Sequence, residues 1–403
     1  MNSTKRSHPQ PSILRSNLPP ASPFPPAWAW FLDEVVPQWV KEHYSPKDSW
    51  KKKPFSLQDA RFFSQGVEEL SELFTEERPQ GMPPYFQHPK YRSSYLLYFL
   101  PLQMAKFLTL FQQNENALAA ALDHGMKTGH LRIADLGAGP GTASLAFLLW
   151  LLQNQWYPEK ELPLIELYWS DINKDILKDG QALVDQIANS FPKTRGKISI
   201  QIEVVPWWKA SSYLPHSLSL IFLGHILNES HKPRRESELN WSNLLKRADG
   251  GGVLMVEPAT RKSSQTLSSL RDQFLESSWI ENSSSSFWGP CLHSGACPLS
   301  QGRDWCHFSY PAQIPGQWFK FFSEALGSER HWVKLSYLWL SSSHYPAPQA
   351  SPSLRRVISD PLSQGTQRSV LICEPNAPGR LSLHPKSHLS RGDCVQVHKT
   401  VSI

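Results

Sequence analysis

The spacing of apolar residues changes near residue 130 of the chain. Before that point apolar residues recur at helical intervals, which predicts helices over 28–44, 56–75, 91–113 and 114–129. After it, short apolar runs alternate with helical stretches. This change predicts an N-terminal helical region that precedes an α/β unit.

In the second part, five short apolar runs predict strands at 131–135, 165–171, 197–205, 218–223 and 252–257. Helices are predicted at 142–153, 174–190, 239–247, 263–279 and 318–325, with a further strand at 333–340. Beyond residue 355 only short strands are predicted, at 356–359, 369–373 and 394–398. Strands that alternate with helices form a mostly parallel sheet covered by helices on both faces.

These patterns divide the chain into four predicted parts. Residues 1–54 form a basic, Pro-rich and partly disordered arm, and residues 55–129 form the helical region. Residues 130–345 form a Rossmann-like domain that contains a Cys-rich loop at 281–310. A basic C-terminal β-unit, 346–403, completes the chain.

Charge is concentrated at the two ends of the chain. Residues 1–54 contain eight Lys/Arg and four Asp/Glu, and residues 351–403 contain seven and three, although the whole chain carries only +6. Basic ends with Trp50, Arg355 and Arg356 favour a phosphate backbone as partner, and ordinary solubilising charge is the alternative. No membrane contact is expected, because the apolar run 143–152 is short and is predicted to be a buried helix.

A glycine-rich turn follows the first predicted strand, with the sequence Asp-Leu-Gly-Ala-Gly-Pro-Gly at 135–141. Glycines allow a sharp turn and a close approach of backbone to ligand, and the following helix presents free N–H groups. A dinucleotide site requires the spacing G-x-G-x-x-G, whereas the third glycine here comes one residue early. The spacing resembles motif I of class I methyltransferases, in which this loop passes beneath S-adenosylmethionine (SAM).

That resemblance implies further site residues at the ends of later strands. Asp135, Gly137, Gly139 and Gly141 would contact the cofactor, and Asp171 would bind its ribose hydroxyls. Trp207 or Trp208 is placed to stack on adenine. The candidates for groups near the methyl acceptor are His225, Asn228 and Glu229, which follow the fourth strand.

Three of the five cysteines lie within sixteen residues, at Cys291, Cys297 and Cys306. The gaps are wider than the paired C-x-x-C of a zinc ribbon and favour a looped site around a larger group. Cys373, at the end of a predicted strand, is the preferred fourth ligand of an iron–sulfur cluster, with Cys394 as the alternative. A zinc site also stays open, because His293 and His307 lie nearby in sequence.

The cysteine segment carries a resemblance to a known family. Its sequence WGPCLHSGACPL at 288–299 and DWCHFS at 304–309 resembles the signature of the mitochondrial small-ribosomal-subunit methyltransferase-like family and its bacterial relatives. The motifs VEPAT at 256–260, KLSYL at 334–338, RVISDP at 356–361 and VLIC at 370–373 extend the resemblance to roughly residues 85–380. One departure is Leu292, where relatives usually have proline.

The resemblance implies an assembly or translation factor that binds small-subunit rRNA and ribosomal proteins, is monomeric off the ribosome, and holds a 4Fe-4S cluster. Its ligands would be Cys291, Cys297, Cys306 and Cys373. An active SAM-dependent rRNA methyltransferase is the first alternative function, and a zinc-containing small-molecule or protein methyltransferase is the second. We expect a bacterial cytoplasmic location, with the mitochondrial matrix as the alternative.

Overall fold

The computed structural model describes residues 24, 26–75, 84–153, 161–227, 241–276, 287–300, 302–327, 332–384 and 387–397. Residues 1–23 and 25 of the predicted arm lie outside these residues. The first part is helical, as predicted. Its helices are α1 over residues 26–44, α2 Asp48–Lys51, α3 Leu57–Thr75, α4 Pro89–Gln113 and α5 Glu115–Thr128.

Helix α4 contains Pro101 yet continues through it. A wider π-helical turn at Tyr95–Phe99 directly precedes the proline and accommodates the missing N–H and the bulk of the ring. By length and composition α4 is the one described helix that could cross a membrane, but 78% of its apolar window is buried inside the protein. Those side chains pack in the core, where α4 contacts the buried helix Thr142–Gln153.

The α/β part begins at β1 and follows the predicted alternation closely. Its strands are β1 His130–Leu136, β2 Leu164–Ser170, β3 Ile198–Glu203, β4 Leu220–Gly224, β5 Val253–Pro258, β6 Phe287–Gly289, β7 Phe308–Pro311 and β8 Trp332–Leu340. The helices between and after them are α6 Thr142–Gln153, α7 Lys174–Ser190, α8 Trp241–Arg247, α9 Arg261–Glu276 and α10 Gln317–Ala325. Strands β6 and β7 were not predicted.

The eight strands form one sheet in the order β3-β2-β1-β4-β5-β8-β6, with β7 also paired to β8. Strands β1 to β5 pair in parallel, and β8 runs antiparallel to β5. The strand order reverses between β1 and β4. Ligands of open α/β sheets bind outside the carboxyl ends of the strands at such a switch point.

Each face of the sheet is covered by its own apolar core. On one face Leu131 and Ile133 pack with α4, α6 and the N-terminal helices. On the other, Ala134 and Leu136 pack with α8, α9 and Trp207. Helix α6 is apolar on all sides, which fits a helix enclosed between the sheet and α4.

The cysteine loop interrupts the edge strand of this sheet. Strand β6 pairs with β8 near Trp339, and β7 pairs with the first part of β8, between Trp332 and Leu335. The chain between β6 and β7 therefore leaves the edge after Gly289 and returns at Phe308. Because both ends of the loop are fixed to β8, its cysteines stay beside the sheet.

The C-terminal unit consists of short strands, as predicted, and has a small core of its own. The strands at 362–364 and 379–383 were not predicted. Strands β10 Leu362–Gln364, β11 Gln367–Ile372 and β12 Gly379–Leu383 form one antiparallel sheet, and β9 Leu354–Arg356 pairs with β13 Cys394–Gln396. Its core residues are Val357, Val370, Ile372, Leu389 and Val395. Cys373 follows β11, and its N–H donates to the carbonyl of Arg356 at 2.7 Å.

A buried ion pair joins α1 to α3 and provides a test of this packing. Lys41 Nζ lies 2.7 Å from Asp59 Oδ2, and both side chains are only 3% exposed. Replacement of Lys41 by Met leaves the Asp59 carboxylate buried without its cation. We expect Lys41→Met to lower the free energy of unfolding by about 3–5 kcal/mol.

The measurement is thermal or urea unfolding followed by circular dichroism. The control is Lys127→Met, which breaks the largely exposed pair with Asp123 and should lower the free energy of unfolding far less, because water screens that pair. Equal losses in the two variants would contradict the structural role of the buried pair.

Candidate functional site

The glycine turn lies between β1 and α6 and requires glycine at its tightest positions. Gly137 and Gly141 have φ of 68° and 73°. A Cβ on Gly141 would lie 2.2 Å from the Trp169 ring, and one on Gly137 would lie 2.3 Å from Ile226. Around Gly139, in contrast, the nearest atom to such a Cβ is 3.6 Å away, on Phe86. The turn therefore packs tightly below and is open toward the cavity at Gly139.

Two carboxylates support this turn. Asp135 accepts hydrogen bonds from the N–H and hydroxyl of Ser144, at 3.1 and 2.9 Å. Burial raises the pKa of Asp135 to about 7 despite these bonds, and the negative charge of Asp171 adds to the rise. Asp171 Oδ2 accepts the Gly139 N–H at 3.0 Å, and its Oδ1 accepts the Asn173 N–H at 2.9 Å. Burial also raises the pKa of Asp171, although both backbone hydrogen bonds oppose the rise.

A cavity of about 350 Å³ opens above the turn. Most of the predicted cofactor residues line it, namely Asp135, Gly137, Gly139, Asp171 and Trp207. Trp208 lines it as well, with its ring 5.8 Å from that of Trp207. Gly141 lies beneath the turn and packs on Trp169. The helical region contributes the opposite wall through Tyr85, Phe86, Tyr95, Gln103 and Phe107.

Of the three candidates near the methyl acceptor, the structure describes His225 alone. Asn228 and Glu229 lie outside the described residues. His225 has a φ of 60° and lines the cavity just after β4. Its Nε2 lies 3.3 Å from Lys106 Nζ, so Nε2 accepts and the ring proton is on Nδ1. Burial and the Lys106 cation lower the pKa of His225 far below its usual value, so the ring is neutral.

The four predicted cysteine ligands come together from the interrupted edge strand and the C-terminal unit. Burial raises the pKa of Cys306, and the charges of Cys291, Cys297 and Cys373 raise it further. Burial together with the first two of these neighbours raises the pKa of Cys373 to about 12. The sulfurs are therefore close enough to repel one another as thiolates.

Two histidines lie in the same loop as three of these cysteines. Across the described ranges, no three His, Cys, Asp or Glu side chains are arranged to hold one metal ion. His293 Nε2 lies 3.3 Å from Cys373 Sγ, and burial lowers the pKa of this histidine to about 4. His307 stacks on Trp305, and its Nδ1 lies 3.0 Å from the Trp305 carbonyl oxygen.

Helix α9 holds the loop through Arg271, which is 2% exposed. Its Nε donates to Cys291 Sγ at 3.1 Å, and an Nη donates to the carbonyls of His293 and Gly295 at 2.8 Å each. The adjacent Asp272 pairs with Arg271 and accepts the N–H of Cys297 at 3.1 Å. One residue pair on α9 thus binds the loop at four points.

A second arginine, Arg356, joins the loop to the C-terminal unit. Its Nε donates to the Pro290 carbonyl at 2.6 Å, and an Nη donates to the Gly392 carbonyl at 2.8 Å. Arg355 pairs with Glu374 at 3.2 Å. The expectation that Arg355 and Arg356 face an RNA partner is therefore wrong for Arg356, because internal carbonyl groups occupy its guanidinium.

Arg271 was not among the predicted site residues, although the apolar spacing along α9 places it on the buried face of the helix. Leu267, Leu270 and Phe274 define the buried face of α9, and residue 271 lies four positions after Leu267 on the same face. A lone arginine on a buried helical face needs several acceptors, and a loop rich in carbonyl groups and thiols supplies them.

The sheet order and the turn together form the class I SAM-dependent methyltransferase fold, and solved structures of that class are similar to this chain at low identity. An rRNA methylase from Streptococcus thermophilus is 12% identical with a TM-score of 0.28, covering 53% of this chain and 87% of its own. A class I methyltransferase from Listeria monocytogenes is 10% identical with a TM-score of 0.31, covering 73% and 91%. The plantazolicin methyltransferase BpumL, solved with S-adenosylhomocysteine, is 11% identical with a TM-score of 0.25, covering 71% and 98%.

The family of the chain follows from its sequence and not from these structural similarities. No curated protein sequence matches the chain significantly. The family profile described as mitochondrial small ribosomal subunit Rsm22 matches residues 103–395, which is well over half of the chain. The match includes the glycine turn, the cavity wall from α4 and all five cysteines. The chain therefore belongs to the Rsm22 family of the mitochondrial small ribosomal subunit.

Proposed function

We propose that this protein is an rRNA-binding factor for assembly or translation of the small ribosomal subunit, with SAM in its cavity and a structural 4Fe-4S cluster. The observation that carries the proposal is the convergence of four cysteines in a chain of the Rsm22 family. The fold explains where both groups would bind, and the family supplies the ribosomal context.

The cavity fits SAM in its chemistry. Asp171 is at the end of β2, where ribose hydroxyls bind in this fold class, and Trp207 and Trp208 offer aromatic faces for adenine. Gly139 leaves space above the turn for the cofactor backbone. SAM would supply an electrophilic methyl group when bound, and the neutral His225 would contribute a hydrogen-bond donor beside it.

The cysteine site has the residues that a cluster needs. Cys291, Cys297, Cys306 and Cys373 would be the ligands, because four cysteines, three of them close together in sequence, are a common ligand set of iron–sulfur clusters. A bound cluster would remove the mutual repulsion of the thiolates by neutralising it with iron. Because Cys373 follows β11, the cluster would also fix the C-terminal unit to the edge of the main sheet.

The basic patch at 47–53 supplies a surface for RNA. Lys47 Nζ lies 5.7 Å from the centroid of the Trp50 ring, and Lys52 and Lys53 are exposed. Flexible cations beside an aromatic ring suit an RNA backbone with unstacked bases. The partners proposed are small-subunit rRNA and ribosomal proteins, with the protein monomeric when free.

The family description places relatives in the mitochondrial small subunit, which favours the mitochondrial matrix over the bacterial cytoplasm as the location. We propose the matrix on this ground. The bacterial location stays an untested prediction of the sequence.

An active rRNA methyltransferase is the second candidate function. The glycine turn, Asp171 and the cavity next to His225 favour it. A zinc-containing small-molecule or protein methyltransferase is the second alternative, with His293 and His307 as further potential ligands beside the cysteines.

The cluster proposal predicts which cysteines retain iron. We expect the protein purified without oxygen to be brown, with about four iron atoms per chain, and Cys297→Ser to lose the colour and precipitate. The matched control is Cys394→Ser, which should keep the iron because Cys394, on β13, is not one of the four proposed ligands. Iron and sulfide analysis with absorption spectra measures the result. Colourless wild-type protein that contains zinc would refute the cluster.

The RNA proposal predicts that the lysines at 51–53 contribute more to RNA binding than lysines elsewhere on the surface. Replacement of Lys51, Lys52 and Lys53 by Ala should weaken binding to small-subunit rRNA about tenfold or more at moderate salt and reduce its salt dependence. The control removes the same charge from exposed positions elsewhere, at Lys174, Lys178 and Lys193. Filter binding over a salt series measures both. Equal weakening in the two triple variants would show that only net charge matters.

Methyl transfer separates the two leading functions. With labelled SAM and small-subunit rRNA, the assembly-factor proposal predicts co-sedimentation of the protein with the subunit but no label in the RNA. Stoichiometric labelling that Asp171→Ala abolishes would instead establish the methyltransferase. Absence of both sedimentation and labelling would refute the ribosomal proposal.

A further inference from the structure

The end of the cavity opposite Asp171 belongs to helix α4, which lies across the carboxyl end of β4. A Cβ on Gly224 would lie 3.0 Å from the Phe107 ring, and Lys106 Nζ reaches His225 Nε2 at 3.3 Å. Gln103 precedes Lys106 and Phe107 by about one helical turn and lines the same cavity. Its side chain is therefore next to the end of β4, two strands away from Asp171 in the order β2-β1-β4.

Gln103 presents an unused acceptor there. Its Oε1 is buried, and no donor within the described residues reaches it. A buried carbonyl without a donor is costly, so its presence in a ligand cavity indicates that a ligand supplies the donor. Sequence analysis did not assign Gln103 any role.

Three other side-chain acceptors of the cavity, on Asp135, Asp171 and His225, already have donors. Asp135 accepts from Ser144, and Asp171 accepts from the N–H groups of Gly139 and Asn173. His225 Nε2 accepts from Lys106. A carboxylate has further lone pairs, and those of Asp171 are at the ribose end. At the β4 end, Gln103 Oε1 is the acceptor that lacks a donor.

The donors of SAM are arranged along its length in the same way. Its adenine amine and ribose hydroxyls would lie toward Trp207 and Asp171, which leaves the α-ammonium of the methionine moiety at the other end. We propose that Gln103 accepts a hydrogen bond from this ammonium and so distinguishes ligands that carry the ammonium from ligands that lack it. The proposal rests on the proposed binding of SAM and is independent of methyl transfer.

The test compares three thioether ligands by calorimetry. S-adenosylhomocysteine carries both ammonium and carboxylate, its decarboxylated form keeps the ammonium alone, and methylthioadenosine lacks both. Gln103→Leu leaves a side chain of nearly the same size but removes the whole amide, both its acceptor and its donors. We expect this variant to bind the two ammonium-containing ligands about tenfold more weakly or worse, and methylthioadenosine within about twofold of wild type.

Two control variants define the comparison. Gln112→Leu makes the same change two turns further along α4, where the side chain lines a different cleft beside the cysteine loop, and should bind all three ligands normally. Asp171→Ala should weaken all three about equally, because each contains ribose. Thermal unfolding of Gln103→Leu confirms that the variant is folded.

Each other outcome overturns the proposal in a different way. Equal weakening of all three ligands by Gln103→Leu would show that Gln103 only shapes the cavity. Weakening confined to S-adenosylhomocysteine would assign the contact to the carboxylate, and no weakening would remove the contact. If wild-type protein binds none of the three, SAM binding itself fails and the inference fails with it.

Discussion

The parallel pairing of β1 with β2 and β4 is the constraint on which the cavity depends. It brings the carboxyl ends of three strands to one edge, so that the glycine turn, Asp171 and His225 meet although they are far apart in sequence. The turn can then pack on Trp169 and Ile226 from below while Gly139 faces the cavity. Helix α4 closes the space from the other side, and this makes the N-terminal region part of the ligand site.

The cysteine loop is not held by apolar packing, because it contains few apolar residues. Buried polar contacts hold it instead. Arg271 and Asp272 bind its first half from α9, and Arg356 ties its start to the C-terminal unit. Such contacts stabilise a loop only when each buried charge is fully paired, and here each guanidinium meets several acceptors. The loop is thereby held beside β8 before any metal group is considered.

Much of the architecture could be predicted because it follows from local patterns. The helix 142–153 was predicted with its observed bounds, since a glycine turn precedes an uninterrupted apolar run. The helix 174–190 was also predicted with its observed bounds. Asn173 caps this helix, because its side chain accepts hydrogen bonds from the backbone N–H groups of Asp175 and Ile176. Strands β6 and β7 were missed because each has only three or four residues and gains its stability from β8, which is distant in sequence. Arg356 was predicted to be a surface cation for the same reason, because the carbonyl groups that it contacts belong to residues distant in sequence.

The sequence by itself determined the class of fold and the glycine turn, because each depends on residue type at short spacing. The four cysteine ligands proposed here follow from the family resemblance, and they stay a prediction. The tertiary structure decided which polar groups are paired. It showed that burial and the Lys106 cation keep His225 neutral, that Arg271 contacts Cys291, and that Gln103 lacks a donor at the end of β4. These facts require knowledge of which segments meet in space, and the packing of α4 and α9 on the sheet settles that.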